Sequence, residues 1–514
     1  MPDIAQLLAD MESLKQRLAN REELIGQLVA EIKRLRREQY GRSSERLDTA
    51  IEQLALALGE GQNAPPPAAL SEPMPPAQDY THHHSNVAPL RRKARALPPE
   101  LPRKTVMHTP ASCTCPDCGA ALRKLGEDVS EMLNWIPGYF EVIRHVRPKL
   151  SCGHCSRVVQ EAAPSRPIER GMAAPGLLAQ VVVSKYADHC PLYRQAGIYR
   201  RAGLELNRAT LADWVGEAAR LVSPLSNALG RYVLSAQKVH ADDTPLPVLD
   251  PGRGKTKTAR LWTYVRDDRP AGSVDPPAVW YRYSPDRKGI HPQTHLMGFT
   301  GILQADGYAG YAPLYEGGRI VEAACWAHAR RKFYDIYATD RSPLAAEAIR
   351  RIGRLYAIER GIRGQAPEVR RTVRQERSRG IITELHTWLS AILLQVSSQS
   401  TLAGAIRYSL VRWEALTRYC ADGRIEIDNN PAERSIRALV LGCKNYLFAG
   451  SDAGGEHAAN LYSLINTALL NGIEPYAYLR RVFEVIADHP INRIEELLPW
   501  QLATELSPPQ CQAA

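Results

Sequence analysis

Nowhere in its 514 residues does the sequence hold about 18 uninterrupted apolar residues, so no segment is suited to cross a bilayer as a helix. The opening, MPDIAQLLADMESL, lacks a basic stretch followed by an apolar core, which excludes a secretory signal there. A soluble protein of the cytoplasm, without membrane partners, is expected. No internal repeat is visible. No serine or cysteine nucleophile motif stands out either, so nothing points to a covalent enzyme intermediate. Cysteine is sparse, with ten in the chain, and in a cytosolic setting these suggest metal ligands or core thiols before disulfides.

What is present is enough to fold: 44% of residues are hydrophobic, and a chain this long divides into three or more units. The charge balance, 65 Lys+Arg against 55 Asp+Glu, is modest overall but clustered. Residues 350–379 hold ten arginines against three glutamates. A solvated helical face and a nucleic-acid surface both fit that pattern.

Positions 4, 7, 11, 14, 18, 21, 25, 28, 32 and 35 are all apolar except Arg21. A 3.5-residue period held over more than four heptads predicts a coiled coil and self-association, with Arg21 able to select register or oligomer state. Residues 1–58 form this region, and a Pro-rich linker follows over 59–104, with PPP at 65–67. His82, His83 and His84 sit in the linker, read as low-complexity filler. A zinc-binding module is expected over 105–165. Three short helical patterns fill 170–225, punctuated by Pro191 and Gly203, and both a helix-turn-helix and ordinary helix packing fit them.

The period then changes. VHADDTPLPVL, LWTYVRDD and AVWYRYS read as consecutive antiparallel strands, HPQTHLMGF as a short helix, GILQADGY as a fourth strand and RIVEAACWAH as a fifth. That order is the order of an RNase H-like fold, a scaffold for nucleic-acid phosphodiester chemistry. The predicted architecture is multidomain α+β: coiled coil, zinc module, and an RNase H-like α/β catalytic core over 236–335 and 425–460. An Arg-rich helical insertion at 336–424 interrupts the core, and a helical C-terminal region covers 461–514.

Cys115-Pro-Asp-Cys118-Gly and Cys152-Gly-His-Cys155 are two C-x-x-C knuckles separated by 33 residues. Each tight turn lets two thiolates face one ion, and the pair supplies four-sulfur coordination for a structural Zn²⁺ with no open position. Cys113 is a substitute ligand, and His154 a weaker one.

Three acidic positions carry the chemistry. Asp242, in His240-Ala241-Asp242-Asp243-Thr244, lies on the first strand, where alternation allows only one of the two aspartates to face a given site. Asp306 falls at the end of the fourth strand. Glu433 follows Asp428-Asn429-Asn430-Pro431, where Asn430 can cap a helix that begins at Pro431. Singly, each has a plain reading: a strand end, an Asp-Gly turn, a capping-box partner. Together they occupy the positions that an RNase H-like sheet brings to one pocket, and paired hard cations need oxygen ligands from several carboxylates. Mg²⁺ is expected, with Mn²⁺ able to replace it. Arg434, Arg437 and Lys444 near the glutamate, and His328, Arg331 and Lys332 after the fifth strand, are candidate DNA contacts or solvent-facing residues.

The chain resembles the transposases of the insertion-sequence 66 family. The resemblance rests on GRSSE at 41–45, CPDCG at 115–119, HADDT, LQADGYAGY at 303–311, CWAHARRKF at 325–333, DNNPAERSIR at 428–437, NYLFAGSDAGG at 445–455 and NGIEPYAYL at 471–479. It implies an Asp, Asp, Glu triad carried onto Asp242, Asp306 and Glu433, and a helical insertion within the 127-residue step from 306 to 433. The family commonly has Asp-Glu-Thr where this chain has Asp242-Asp243-Thr244. The partners implied are double-stranded DNA at terminal inverted repeats and targets, placing the protein at the nucleoid, and companion proteins of the same element. Two rival readings stand beside it: a zinc-containing DNA-binding protein without catalysis, and an RNase H-like nuclease that cuts without joining.

Overall fold

The computed structural model describes residues 97–506 apart from 98, 100, 110–113, 116, 119, 137 and 153. The expected coiled coil, most of the linker with its three histidines, and Cys113 lie outside the described residues.

The chain enters through β1 (Arg103–Met107), a long hairpin of β2 (Leu122–Ile136) and β3 (Tyr139–Cys152), and short β4 (Val158–Gln160). Strand β3 lies between β1, which runs parallel to it, and antiparallel β2, while β4 pairs with its end. In β3 Phe140, Val142 and Val146 are buried and Tyr139 is exposed, as strand alternation requires, while Arg144 interrupts the buried side. Gly138 turns the hairpin at φ +101°, a conformation that disfavours a side chain. The backbone of Leu133 bonds both Met172 and Ala174, tying the hairpin to the helices that follow.

Those helices are α1 (Pro175–Tyr186), α2 (Leu192–Arg201), α3 (Arg208–Leu221) and α4 (Ser223–Leu234). Helix α1 begins on Pro175, whose missing N–H costs nothing there, and is buried along nearly its whole length. In α3 the side chain of Asn207 caps the N–H of Thr210.

A second sheet comprises β5 (Lys238–Val248), β6 (Lys257–Arg266), β7 (Ala278–Ser284), then, after helix α5 (Ile290–His295), β8 (Gly301–Gln304), and, after α6 (Ala312–Tyr315), β9 (Ile320–Ala323). Its spatial order is β7-β6-β5-β8-β9. The first three strands are antiparallel neighbours, whereas β8 runs parallel to β5 and β9 parallel to β8. The fourth and fifth strands are shorter than the sequence suggests. Strand β8 stops before Asp306, and β9 stops before Ala324, whose N–H bonds Ala415 instead of a neighbouring strand. Cys325 and His328 therefore belong to the start of helix α7 (Trp326–Asp340), not to a strand.

Helices α8 (Pro343–Ile362), α9 (Pro367–Val373), α10 (Arg379–Gln395), α11 (Thr401–Val411) and α12 (Trp413–Thr417) separate β9 from the next element and pack around a second core that includes Trp326, Ile352, Leu385 and Ile406. Between α9 and α10 the backbone widens into a π-turn over Arg374–Ser378. The chain returns to the sheet as α13 (Asn430–Tyr446), α14 (Asp452–Leu470), α15 (Pro475–Val485) and α16 (Pro499–Leu506). Helix α14 covers the outer edge of β7: Thr467 accepts from the N–H of Val279 at 3.1 Å, and Ser463 from that of Tyr281 at 2.9 Å. Hydroxyls of a helix thus take the place of a further strand. The protein is a multidomain mixed α/β molecule, and no helix among the described residues is long and apolar enough to cross a membrane.

Candidate active site and metal cluster

The 33 residues between the two cysteine knuckles were not read as structure from the sequence, and they fold into the β2–β3 hairpin. Its register sets Leu122 opposite Cys152, so the strand ends bring the knuckles together. The sulfurs of Cys115 and Cys155 lie 3.2 Å apart, those of Cys118 and Cys152 3.4 Å, and those of Cys118 and Cys155 3.6 Å. A tetrahedron of zinc–sulfur bonds of 2.3 Å has edges of about 3.8 Å, so a modest outward movement accommodates the ion. The backbone N–H groups of Cys155 and His154 hold the Cys152 thiol down to about 6, while against the N–H of Arg157 the neighbouring sulfurs of Cys115 and Cys152 push Cys155 up, as expected of four thiols crowded together. All the described cysteines are free thiols, as expected of metal ligands and core residues.

In the second sheet, β5 and β8 pair in parallel with His240 level with Gln304. Two residues further on, in the same direction, come Asp242, in the middle of β5, and Asp306, just beyond the end of β8. Burial, then Asp306, pushes the Asp242 carboxyl up to about 8, with Asp243 and Glu433 adding to the repulsion. The three acids of the sequence-derived triad therefore share one electrostatic environment. Asp306 also accepts the N–H of Tyr308 at 3.1 Å, so it is the turn residue of the plain reading as well. A side chain at Gly307 would displace the Arg412 guanidinium, which packs against it and donates to its carbonyl at 3.2 Å.

Glu433 lies in the first turn of α13. The cap differs from expectation: helix α13 begins at Asn430, and the residue before it, Asn429, caps nothing with its side chain. That side chain instead reaches into the sheet, donating to the carbonyl of Ala241 at 2.8 Å and meeting Nδ1 of buried His240 at 3.0 Å. Its backbone N–H points at the Cys325 sulfur, 3.1 Å away. Asn429 thereby joins β5, the start of α7 and the start of α13. Gln304 makes a second tie, its amide exchanging hydrogen bonds with the backbone of Glu426. Neither role is visible in a linear sequence. The only hint is an amide residue within two of the three acidic motifs.

The neighbouring acids have other duties. Asp243 is almost wholly buried and bonded to Arg260 at 3.0 Å and Arg287 at 2.8 Å. Glu426 pairs with Arg370 at 2.8 Å, and Asp428 accepts from the backbone and side chain of Asn430. Two arginines of the basic 350–379 stretch serve neither solvent nor nucleic acid: Arg370 and Arg374 are buried, with Arg374 2.6 Å from Glu359 and donating to the carbonyl of Tyr419. Their burial overturns both sequence readings at these two positions, since the insertion core needs their charge to neutralise Glu359 and Glu426.

Of the candidate DNA contacts, His328 and Arg331 sit 3.7 and 3.8 Å from Glu433. Lys332 lies over the ring of Tyr408 at 4.5 Å. Arg434, Arg437 and Lys444 are exposed along α13. Arg434 also lines a cavity of about 260 Å³ with Arg360, Arg363 and Asp428. Helix α2 exposes Arg194, Arg200 and Arg201.

Comparison with known proteins agrees in each part of the chain. The profile of the Transposase IS66 family matches residues 170–457, that of the zinc-finger binding domain of transposase IS66 matches 112–156, and the IS66 C-terminal element matches 463–500. A fourth profile, Transposase C of IS166 homeodomain, matches 27–106. Among relatives, an uncharacterized protein of Sinorhizobium fredii, y4hP, is 41% identical over 92% of this chain and 88% of its own length. Another from the same organism, y4jD, is 40% identical over 95% of this chain and 97% of its own. A profile covering more than half the sequence, together with relatives about 40% identical over nearly the whole chain, shows that the chain belongs to the IS66 transposase family.

Proposed function

We propose that this protein is a DDE-type transposase whose second sheet is an RNase H-like catalytic core, with Asp242, Asp306 and Glu433 as the ligands of its catalytic ions. One observation carries the reading: carboxylates from β5, the end of β8 and α13 act on one another although 127 residues separate the last two. Mutual repulsion in a half-dry pocket is costly unless positive charge sits there, and Glu433 Oε1 is buried with no hydrogen-bond partner. All three donors are hard oxygens, which fits Mg²⁺, or Mn²⁺ in its place. Such ions, when bound, activate the attacking oxygen and stabilise the leaving one at a phosphodiester.

The chain's own groups supply the rest. Asn429 and Gln304 fix the glutamate's helix against the aspartates' strands, so the ligand positions are set before DNA arrives. Arg331 beside Glu433, and Arg434 and Arg437 on α13, offer charge to the phosphates next to the scissile bond. Water attacks first, leaving a 3′-hydroxyl, and that hydroxyl then attacks the target strand. The four-cysteine module holds structural Zn²⁺ and, with the helices of 170–225, serves binding to element ends. Residues 1–58 supply self-association, and companion proteins of the element complete the assembly.

The test pairs a gel-shift on terminal inverted repeats with assays of cleavage and strand transfer in Mg²⁺. Asp242→Asn, Asp306→Asn and Glu433→Gln should each abolish both reactions while end binding persists. Wild-type transposition by Glu433→Gln would refute the triad, and cleavage without joined product would make the protein a nuclease.

A further inference from the structure

We propose that Cys325, His328 and Glu433 form a second metal site, suited to a thiophilic divalent ion such as zinc, and that its occupation withdraws Glu433 from the hard-ion pocket. The competition rests on the proposed role of Glu433; the site itself does not.

Three observations build it. The Cys325 sulfur, a ring nitrogen of His328 and a carboxylate oxygen of Glu433 all lie within 4.8 Å of one another. Nδ1 of His328 and Oε1 of Glu433, 3.7 Å apart, are both buried and both lack a hydrogen-bond partner, so each has a lone pair to give. The Cys325 sulfur already receives the backbone N–H of Asn429, the kind of contact that steadies a metal-bound thiolate.

The donor set decides which ion fits. Sulfur, imidazole and one carboxylate suit zinc, and they suit magnesium poorly because magnesium demands octahedral oxygen. Three protein ligands leave a fourth position for water. The spacing is natural to the fold: Cys325 precedes α7 and His328 lies three residues on, one helical turn, while Glu433 enters from the first turn of α13. Arg331, 3.8 Å from the carboxylate, opposes a cation and must swing outward, which its partial exposure allows.

Binding is read without reference to catalysis. Full-length protein with its four-cysteine cluster loaded with zinc is titrated with Co²⁺, and a near-ultraviolet thiolate-to-cobalt band should grow to one equivalent. Cys325→Ser and His328→Asn should remove it, weakening Co²⁺ binding by more than the roughly 10- to 100-fold that loss of an outer partner costs. Absence of the band in the wild type overturns the site, as does its survival in Cys325→Ser, which would trace it to the four-cysteine cluster. Cys325→Ala, checked by thermal melting, repeats the comparison if the serine variant does not fold. In the second arm, micromolar Zn²⁺ should slow Mg²⁺-dependent DNA cleavage by about tenfold or more in the wild type, and less in Cys325→Ser. Unchanged cleavage with the site filled overturns the competition. A wild type that never cleaves DNA in Mg²⁺ but still gives the cobalt band overturns the transposase chemistry and leaves the site standing.

Discussion

The side chain of Asn429 bonds the carbonyl of Ala241 and the ring of His240, and both partners are buried. Asn429→Ala leaves them unsatisfied, which should cost about 2 to 4 kcal/mol in urea unfolding. Cleavage should fall by about 100-fold, because the helix carrying Glu433 loses its anchor. An unchanged unfolding midpoint would show that the bonds are dispensable. Asp243 makes a different case. It neighbours Asp242 on β5, and its bonds to Arg260 and Arg287 give it a structural role. Asp243→Asn should destabilise the protein by about 2 to 4 kcal/mol, less than for a fully buried pair since Arg287 is half exposed. Its measure is a melting curve beside that of Asp242→Asn, which replaces a carboxyl that burial already keeps largely protonated near neutral pH and should melt no lower than the wild type in EDTA. Residue types and spacing made the acids and thiols legible in sequence. Asn429, Gln304 and His240 were not, because their work lies in contacts across 100 residues or more, which no local pattern encodes.

Among the elements, strand periodicity exposed the five strands of the second sheet but not where two of them end. Beyond β9 the backbone bonds Ala415 of the insertion and Ile427 before α13, and beyond β8 the Asp306 carboxylate accepts from the N–H of Tyr308 in a turn. The β2–β3 hairpin was hidden for another reason: charged residues interrupt its apolar ones, and its pairing is set by register across the hairpin and by the knuckles at its ends. Cys152→Ser should therefore lose zinc and make the region between about 105 and 165 protease-sensitive, while the second sheet survives. Retention of one zinc per chain in that variant would refute the four-cysteine site. The cover over β7 offers a further test. Ser463→Ala with Thr467→Val strips the acceptors from two buried N–H groups, at about 1 to 3 kcal/mol each, and should promote aggregation visible by light scattering.

For the whole molecule, the heptads of residues 1–58 predict assembly. Deleting them should lower the sedimenting mass of the full chain, and Arg21→Leu should tighten association if position 21 faces the seam. An unchanged mass on deletion would place the contacts elsewhere. The insertion has a core of its own and lies between two of the proposed metal ligands, which gives the site a history in time. At about 5 to 20 residues per second, the ribosome delivers Glu433 roughly 6 to 25 seconds after Asp306. Throughout that interval the nascent chain carries two acids of three and lacks both α13 and the cover over β7. On the proposed chemistry, it cannot yet cleave DNA. Competence for cleavage arrives only when synthesis has passed the insertion, and a product stopped anywhere before residue 433 cannot cut.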